Sequence, residues 1–212
     1  MKIMVIVIII IAVVLIVSAL LFLIFKKTDI SKYEHLKDPV ISKKPDVKVL
    51  EVKFEVDSND LQKVFGLLFK TYFNLKGAPK GSRMEFPVAR YENAIDFNME
   101  KDKRNEAFKN VIWKGAAAIP IPESVKVLPK SNTKDGLTAE FNTWKYGDIA
   151  EILHYGAYED EPETVKRLID HINKNGYKIS GVHEEVYIVG PGTPFTSPDR
   201  YVTIIRYPVK KK

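Results

Sequence analysis

Gly181-Val182-His183-Glu184-Glu185-Val186-Tyr187-Ile188-Val189-Gly190 decides how the chain is read. β-Branched and aromatic residues dominate it and glycines stand at both ends, so it reads as a strand. Period-2 alternation puts His183, Glu185 and Tyr187 on one face and Val182, Glu184, Val186 and Ile188 on the other. The second face is mostly aliphatic and is expected to pack on a core. The first carries a carboxylate between a histidine and a tyrosine. If that face is buried, Glu185 needs a hydrogen bond or a cation to offset its desolvation, and it becomes a candidate ligand-pocket residue. If it faces water, it is an ordinary sheet surface.

Working outward, the closing half of the chain has a clear order. Leu137 to Tyr158 reads as a long strand or as a hairpin turning near Tyr146-Gly147-Asp148. Asp160-Glu161-Pro162-Glu163 opens a helix, with acids and a proline in the first turn where the dipole favours them. Val165, Leu168, Ile169 and Ile172 form its buried stripe, and Asn175-Gly176 closes it. The Gly181–Gly190 strand, a loop from Pro191 to Pro198 and a last strand from Tyr201 to Val209 follow.

The preceding half repeats that order. Val47 to Val56 alternates as a half-buried strand. Asp57-Ser58-Asn59-Asp60 caps a helix striped by Leu61, Val64, Phe65, Leu68, Tyr72 and Leu75 and ended by Gly77 and Pro79. Met84 to Glu92 reads as a strand in which Pro87 marks an edge or bulge. Asn93 to Asn110 reads as a long polar loop. Val111 to Ile119 is a further strand, and Glu123 to Gly136 a second loop. The fold class is therefore α+β: duplicated βαββ repeats, at about 47–120 and 138–209, forming an antiparallel sheet with two helices. Laying Phe86–Tyr91 over Val182–Tyr187 matches Tyr91 with Tyr187 and Ala89 with Glu185. Only the second half then brings a carboxylate to a cleft at the junction.

One transmembrane helix is expected before this domain. Ile3 to Phe25 is an uncharged run of 23 residues bracketed by Lys2 and Lys26-Lys27. As a helix it would span about 34 Å, enough for a bilayer core. A signal peptide would have a shorter apolar core and a small-residue cleavage site. We read residues 1–27 as a single-pass anchor, 28–46 as a polar tether and 47–212 as the domain. Lysines are more numerous after the run than before it, which favours a cytoplasmic domain by a small margin.

Composition removes several function classes. Net charge is +6 over 212 residues, spread without a basic stripe, and no nucleic-acid module fits. There is no cysteine, so disulfides, thiolate nucleophiles and cysteine-ligated zinc are excluded. His35, His154, His171 and His183 are scattered without ligand spacing, so no metal is expected. No P-loop, G-x-G-x-x-G or G-x-S-x-G elbow occurs.

His154-x-Gly156-x-Tyr158, the helix to Gly176, Glu185-Val186-Tyr187 and Pro198-Asp199-Arg200-Tyr201 running to Arg206-Tyr207-Pro208-Val209 together resemble the GyrI-like domain. This is the effector-binding domain of AraC- and MerR-type multidrug-sensing regulators. The resemblance is good over about 138–209 and loose over 47–120. It implies paired βαββ repeats around a pocket for hydrophobic or aromatic, often cationic, small molecules, with the pocket acid at Glu185. It also implies aromatic walls, for which Tyr187, Tyr155, Tyr91, Trp144 and Trp113 are the candidates. A membrane span stands where such regulators carry a DNA-binding helix-turn-helix, so nucleic acid is not an expected partner.

A membrane-tethered binding module that needs no cofactor is the leading expectation. A hydrolase of electrophilic small molecules is the second, using Glu185 as base with Tyr155 or Tyr187 as donor. Haem or tetrapyrrole binding is the third, because the SOUL haem-binding family shares the fold. It would use His154 or His183. A protein–protein adaptor on a membrane surface is the fourth.

Overall fold

The computed structural model describes residues 28–93, 103, 111–193 and 196–212. The Ile3–Phe25 run lies outside these, as do most of residues 94–110, read from the sequence as a loop; Lys103, the one described among them, is helical. Among the described residues no helix is long and apolar enough to cross a membrane.

The described strands are β1 (Val40–Lys44), β2 (Val47–Asp57), β3 (Val88–Tyr91), β4 (Ile112–Pro120) and β5 (Thr133–Lys134), followed by β6 (Leu137–Trp144), β7 (Gly147–Tyr155), β8 (Tyr177–Ile179), β9 (His183–Val189) and β10 (Val202–Lys211). The helices are α1 (Leu61–Asn74) and α2 (Glu161–Lys174). The sheet is antiparallel, in the order β1-β7-β10-β9-β3-β4-β2-β6-β5, with β8 paired to β10. Within it each repeat is a three-stranded unit, β2-β4-β3 and β9-β10-β7, and the units meet where β3 pairs β9. The α+β class, the antiparallel sheet and the two helices are as the periodicities indicate.

The repeats correspond in the placement of their helices. Short 3₁₀ turns at Ser58–Asp60 and Tyr158–Asp160 precede helices that start at Leu61 and Glu161 and end at Asn74 and Lys174. Each helix buries one stripe. α1 buries Val64, Leu67, Leu68 and Tyr72 against Leu50, Val52, Ala117 and Ala139. α2 buries Val165, Leu168 and Ile172 against Ala150, Ile152 and Ile205. Burial of each such side chain is worth about 1.5–3 kcal/mol.

A second junction ties the halves together. Val40 lies opposite Glu151 and Lys44 opposite Gly147, and the same register resumes from Val47 opposite Trp144 to Val52 opposite Ala139. Residues 40–57 and 137–155 are thus two long strands paired across a shared kink. Lys145 pairs with Asp46 there at 2.7 Å, and the Tyr146 N–H donates to the same carboxylate. The hairpin alternative for Leu137 to Tyr158 falls away, because β6 and β7 pair with other strands.

Two expectations are corrected. Residues 28–46 were read as a tether, yet β1 is a paired strand. The 3₁₀ helix Ser31–Lys37 also buries Leu36 on the sheet face away from α1 and α2, with Val88, Trp144 and Val186. The sequence is polar there because its other side is exposed. The strand containing Pro87 is central rather than at an edge. It starts only after the proline, whose carbonyl accepts the Tyr187 N–H at 2.9 Å. The mostly aliphatic face of β9 packs on a core as expected, with Val186 and Ile188 buried, and Glu184 on that face sits in a buried ionic network.

Two glycines test this packing. A Cβ on Gly115 in β4 would lie 1.9 Å from the Arg90 carbonyl oxygen of β3, whereas one on exposed Gly66 in α1 would meet nothing. Gly115→Ala is expected to cost at least about 2 kcal/mol. Gly66→Ala is expected to add roughly 0.5–1 kcal/mol. Denaturant midpoints of the two variants would check both.

Candidate functional site

β9 delivers three consecutive acids and bases to two faces. Both faces are covered, so each charge has to be satisfied internally. Glu184, 0 % exposed, points away from the helices. It accepts from Arg90 Nε at 2.8 Å, from the Tyr146 hydroxyl at 3.1 Å and from Arg206 Nη1. Arg206 also donates from Nε to Glu151 at 2.7 Å. Burial alone would lower the Arg206 pKa, but Glu151 and Glu184 outweigh it and raise it. The network pairs two arginines with two carboxylates, which marks it as structural, although Arg90 Nη2 is buried without a hydrogen-bond partner.

Glu185 faces the helices, 8 % exposed, and its situation is different. His183 Nε2 lies 2.9 Å from Glu185 Oε1, and His183 Nδ1 lies 2.8 Å from the Tyr207 hydroxyl. The third member is Glu161, the first residue of α2, 5 % exposed. Ligand atoms of Glu161, His183 and Glu185 all lie within 4.8 Å of one another. Glu161 Oε1 is buried without a hydrogen-bond partner. Burial, and then the Glu185 and Glu159 charges, push the Glu161 carboxyl well above the usual carboxylate range. No lysine or arginine pairs with either acid among the described residues.

Aromatic rings surround these acids. Tyr187 is edge-on to Phe65 at 5.7 Å and to Tyr158 at 6.0 Å. Tyr158 lies 5.3 Å from Tyr201. Tyr91 packs on Trp113 at 5.1 Å, and its hydroxyl is 2.7 Å from that of Tyr187. Burial, and then the Glu185 charge, raise the pKa values of Tyr91, Tyr158, Tyr187 and Tyr207, so these phenols keep their protons and can donate.

Glu185, Tyr187, Tyr91 and Trp113 are therefore together on the helix side of the sheet. Trp144 is not with them. It lies on the opposite face, donates from Nε1 to Glu51 at 2.6 Å and carries the Arg90 guanidinium 4.0 Å above its ring. Tyr155, 45 % exposed, shares the Leu153 side of β7, also away from Glu185. Sequence reasoning missed Glu161, Tyr158 and Tyr207. A signal for Glu161 was present, since Leu61 occupies the matching position of the first helix.

The junction is packed rather than open. A cleft of 570 Å³ opens instead at the rim near the start of α1, over Phe54, which is edge-on to Tyr91. Lys63 pairs there with Asp60, and Lys114 with Glu92, so its charges largely cancel.

No family model and no curated protein matches the chain. Solved structures do. A hydrolase from Listeria innocua aligns with a TM-score of 0.61 and 16 % identity, over 87 % of this chain and 100 % of that one. The C-terminal domain of EcmrR aligns at 0.58 and 13 % identity, over 82 % and 98 %. EcmrR in a DNA complex aligns at 0.57 and 14 %, over 86 % of this chain and 61 % of that one. The chain shares the fold of these proteins, which is consistent with the GyrI-like resemblance of its sequence. At these identities the likeness covers the fold alone, and the chemistry rests on the residues described above.

Glu184 and Glu185 are neighbours with opposite expected behaviour. Glu184→Gln leaves two arginines under-compensated in a buried network and is expected to cost about 3 kcal/mol. Glu185→Gln keeps an acceptor for His183 and removes a buried charge. It is expected to shift stability by less than about 1 kcal/mol. Urea unfolding of both variants distinguishes them.

Proposed function

We propose that the protein is a GyrI-like small-molecule-binding module that takes flat aromatic cations between its two halves, with Glu185 as the counter-charge. The observation that carries this is a buried pair of carboxylates, Glu161 and Glu185, ringed by Tyr91, Tyr158 and Tyr187 and without an arginine or lysine partner among the described residues. A desolvated acid attracts a cation strongly, and aromatic faces add cation–π attraction. Ligand entry requires the Tyr91–Tyr187 hydroxyl contact to part.

Two alternatives lose support from the same geometry. Both ring nitrogens of His154 are engaged, by Thr164 and the Ala157 carbonyl, and both of His183 by Tyr207 and Glu185. His154 therefore has no open nitrogen, and His183 is buried between Glu185 and Tyr207, where a haem macrocycle could not reach it. For hydrolysis, Tyr155 is on the wrong face and the Tyr187 hydroxyl is held by Tyr91. We also propose that residues 3–25 anchor this module in a membrane, the run being long and apolar enough.

Titrating the full chain in detergent with ethidium, followed by tryptophan fluorescence, tests the binding reading. Saturable quenching is expected, weakened at least about tenfold, or 1.4 kcal/mol, by Glu185→Gln. Trp113→Phe should remove most of the signal and Trp144→Phe little of it. Quenching that is unchanged in Glu185→Gln would overturn the assignment. Membrane insertion is checked separately by alkaline extraction. The wild type should stay with the membrane, and Ile10→Lys with Leu15→Lys should be released.

A further inference from the structure

We propose that Glu161, His183 and Glu185 form a binding site for one divalent transition-metal ion of the zinc class. The inference stands on the donor set and does not depend on the ligand reading. Three donors, two carboxylate oxygens and one imidazole nitrogen, converge from two elements, the start of α2 and one face of β9. Metal–ligand bonds of about 2.0–2.2 Å at tetrahedral angles place two donors on one ion about 3.3–3.6 Å apart. The donors here lie within 4.8 Å of one another, with His183 Nε2 and Glu185 Oε1 already 2.9 Å apart, so closure needs a side-chain shift of at most about 1.5 Å.

Two further features point to an ion. Glu161 Oε1 is buried without a hydrogen-bond partner, so an acceptor inside the protein lacks anything positive to accept from. Nδ1 of His183 is 2.8 Å from the Tyr207 hydroxyl. That contact would leave Nε2, the nitrogen facing Glu185, as the metal-binding atom and would fix the ring from behind, as outer partners of metal-bound histidines do. Oxygen and imidazole donors without thiolate suit zinc, manganese, iron and cobalt. The helix N-terminus at Glu161 opposes a cation, but two carboxylates outweigh half a positive charge. With three protein donors the ion would keep an open position toward the tyrosine ring, the arrangement of reactive rather than purely structural sites. An organic cation at Glu185 and the ion would then compete.

The test is Co²⁺ titration of the metal-stripped full chain in detergent, read by visible d–d absorption, with Zn²⁺ displacement and no organic cation present. One equivalent is expected to bind. Glu161→Gln should weaken it at least about tenfold, and Tyr207→Phe about tenfold through loss of the outer contact. Glu163→Gln, an exposed acid in the same turn, should leave it unchanged. Circular dichroism shows that each variant is folded. Absence of stoichiometric Co²⁺ binding overturns the proposal. So does binding that survives Glu161→Gln, which would place the ion elsewhere. Ethidium binding that persists while Co²⁺ fails leaves the ligand reading intact.

Discussion

A carboxylate taken out of water must be met by positive charge, by donors or by a proton, and the structure meets this demand in two ways on one strand. On one face of β9, Glu184 is met by Arg90, Arg206 and Tyr146. That network crosses both halves, since Arg90 belongs to β3 and Arg206 to β10. On the other face, Glu185 is met by His183 and lies beside a second acid, with no arginine or lysine partner among the described residues. The first solution meets the carboxylate with positive charge and ties the sheet together. The second is left open for something positive to arrive, and the functional argument follows from that difference.

The duplication explains why the open solution occurs once. In the first half, Leu61 starts α1 where Glu161 starts α2, and Ser58 stands where Tyr158 stands. Ala89 is both the repeat equivalent of Glu185 and its direct partner across the β3–β9 ladder. The first half therefore supplies apolar surface and room, and the second supplies charge. Tyr91 and Tyr187 are the pair both halves retain, and their hydroxyls meet across the seam. Symmetry of backbone with asymmetry of side chains yields a site with one charged wall.

The elements were legible because their signals are local. Alternation over Val47–Val56, the stripes of α1 and α2, and the glycines around β9 each lie within a dozen residues or so. The partner of each strand was not legible. Nothing in 137–158 states that β6 and β7 join different strands, and nothing in 28–46 states that Leu36 and β1 close the sheet's other face. Site assignments failed for the same reason. Trp144 and Tyr155 are aromatic and near the right elements, but strand parity turns both away from Glu185. Glu161 looked like an ordinary helix-start acid, a role it also fills, so dipole reasoning hid its burial.

Small residues finally account for where the acids can sit. Beside Glu185 across the ladder is Ala89, and beyond it in register is Ala117 of β4, both fully buried. Had bulky residues stood there, as Ile205 does on the other side of Glu185, the helix face would be filled at the seam. Methyl groups instead leave the space between α1 and α2 to the rings of Tyr91 and Tyr187, which can turn about χ1 and χ2. Aliphatic side chains in that position would give a sealed core. Tyrosines held to each other by one hydroxyl contact give a wall that can part at the cost of about one hydrogen bond. The seam is therefore tied through its backbone, by the β3–β9 ladder, while its side chains meet through a single hydroxyl contact that can part.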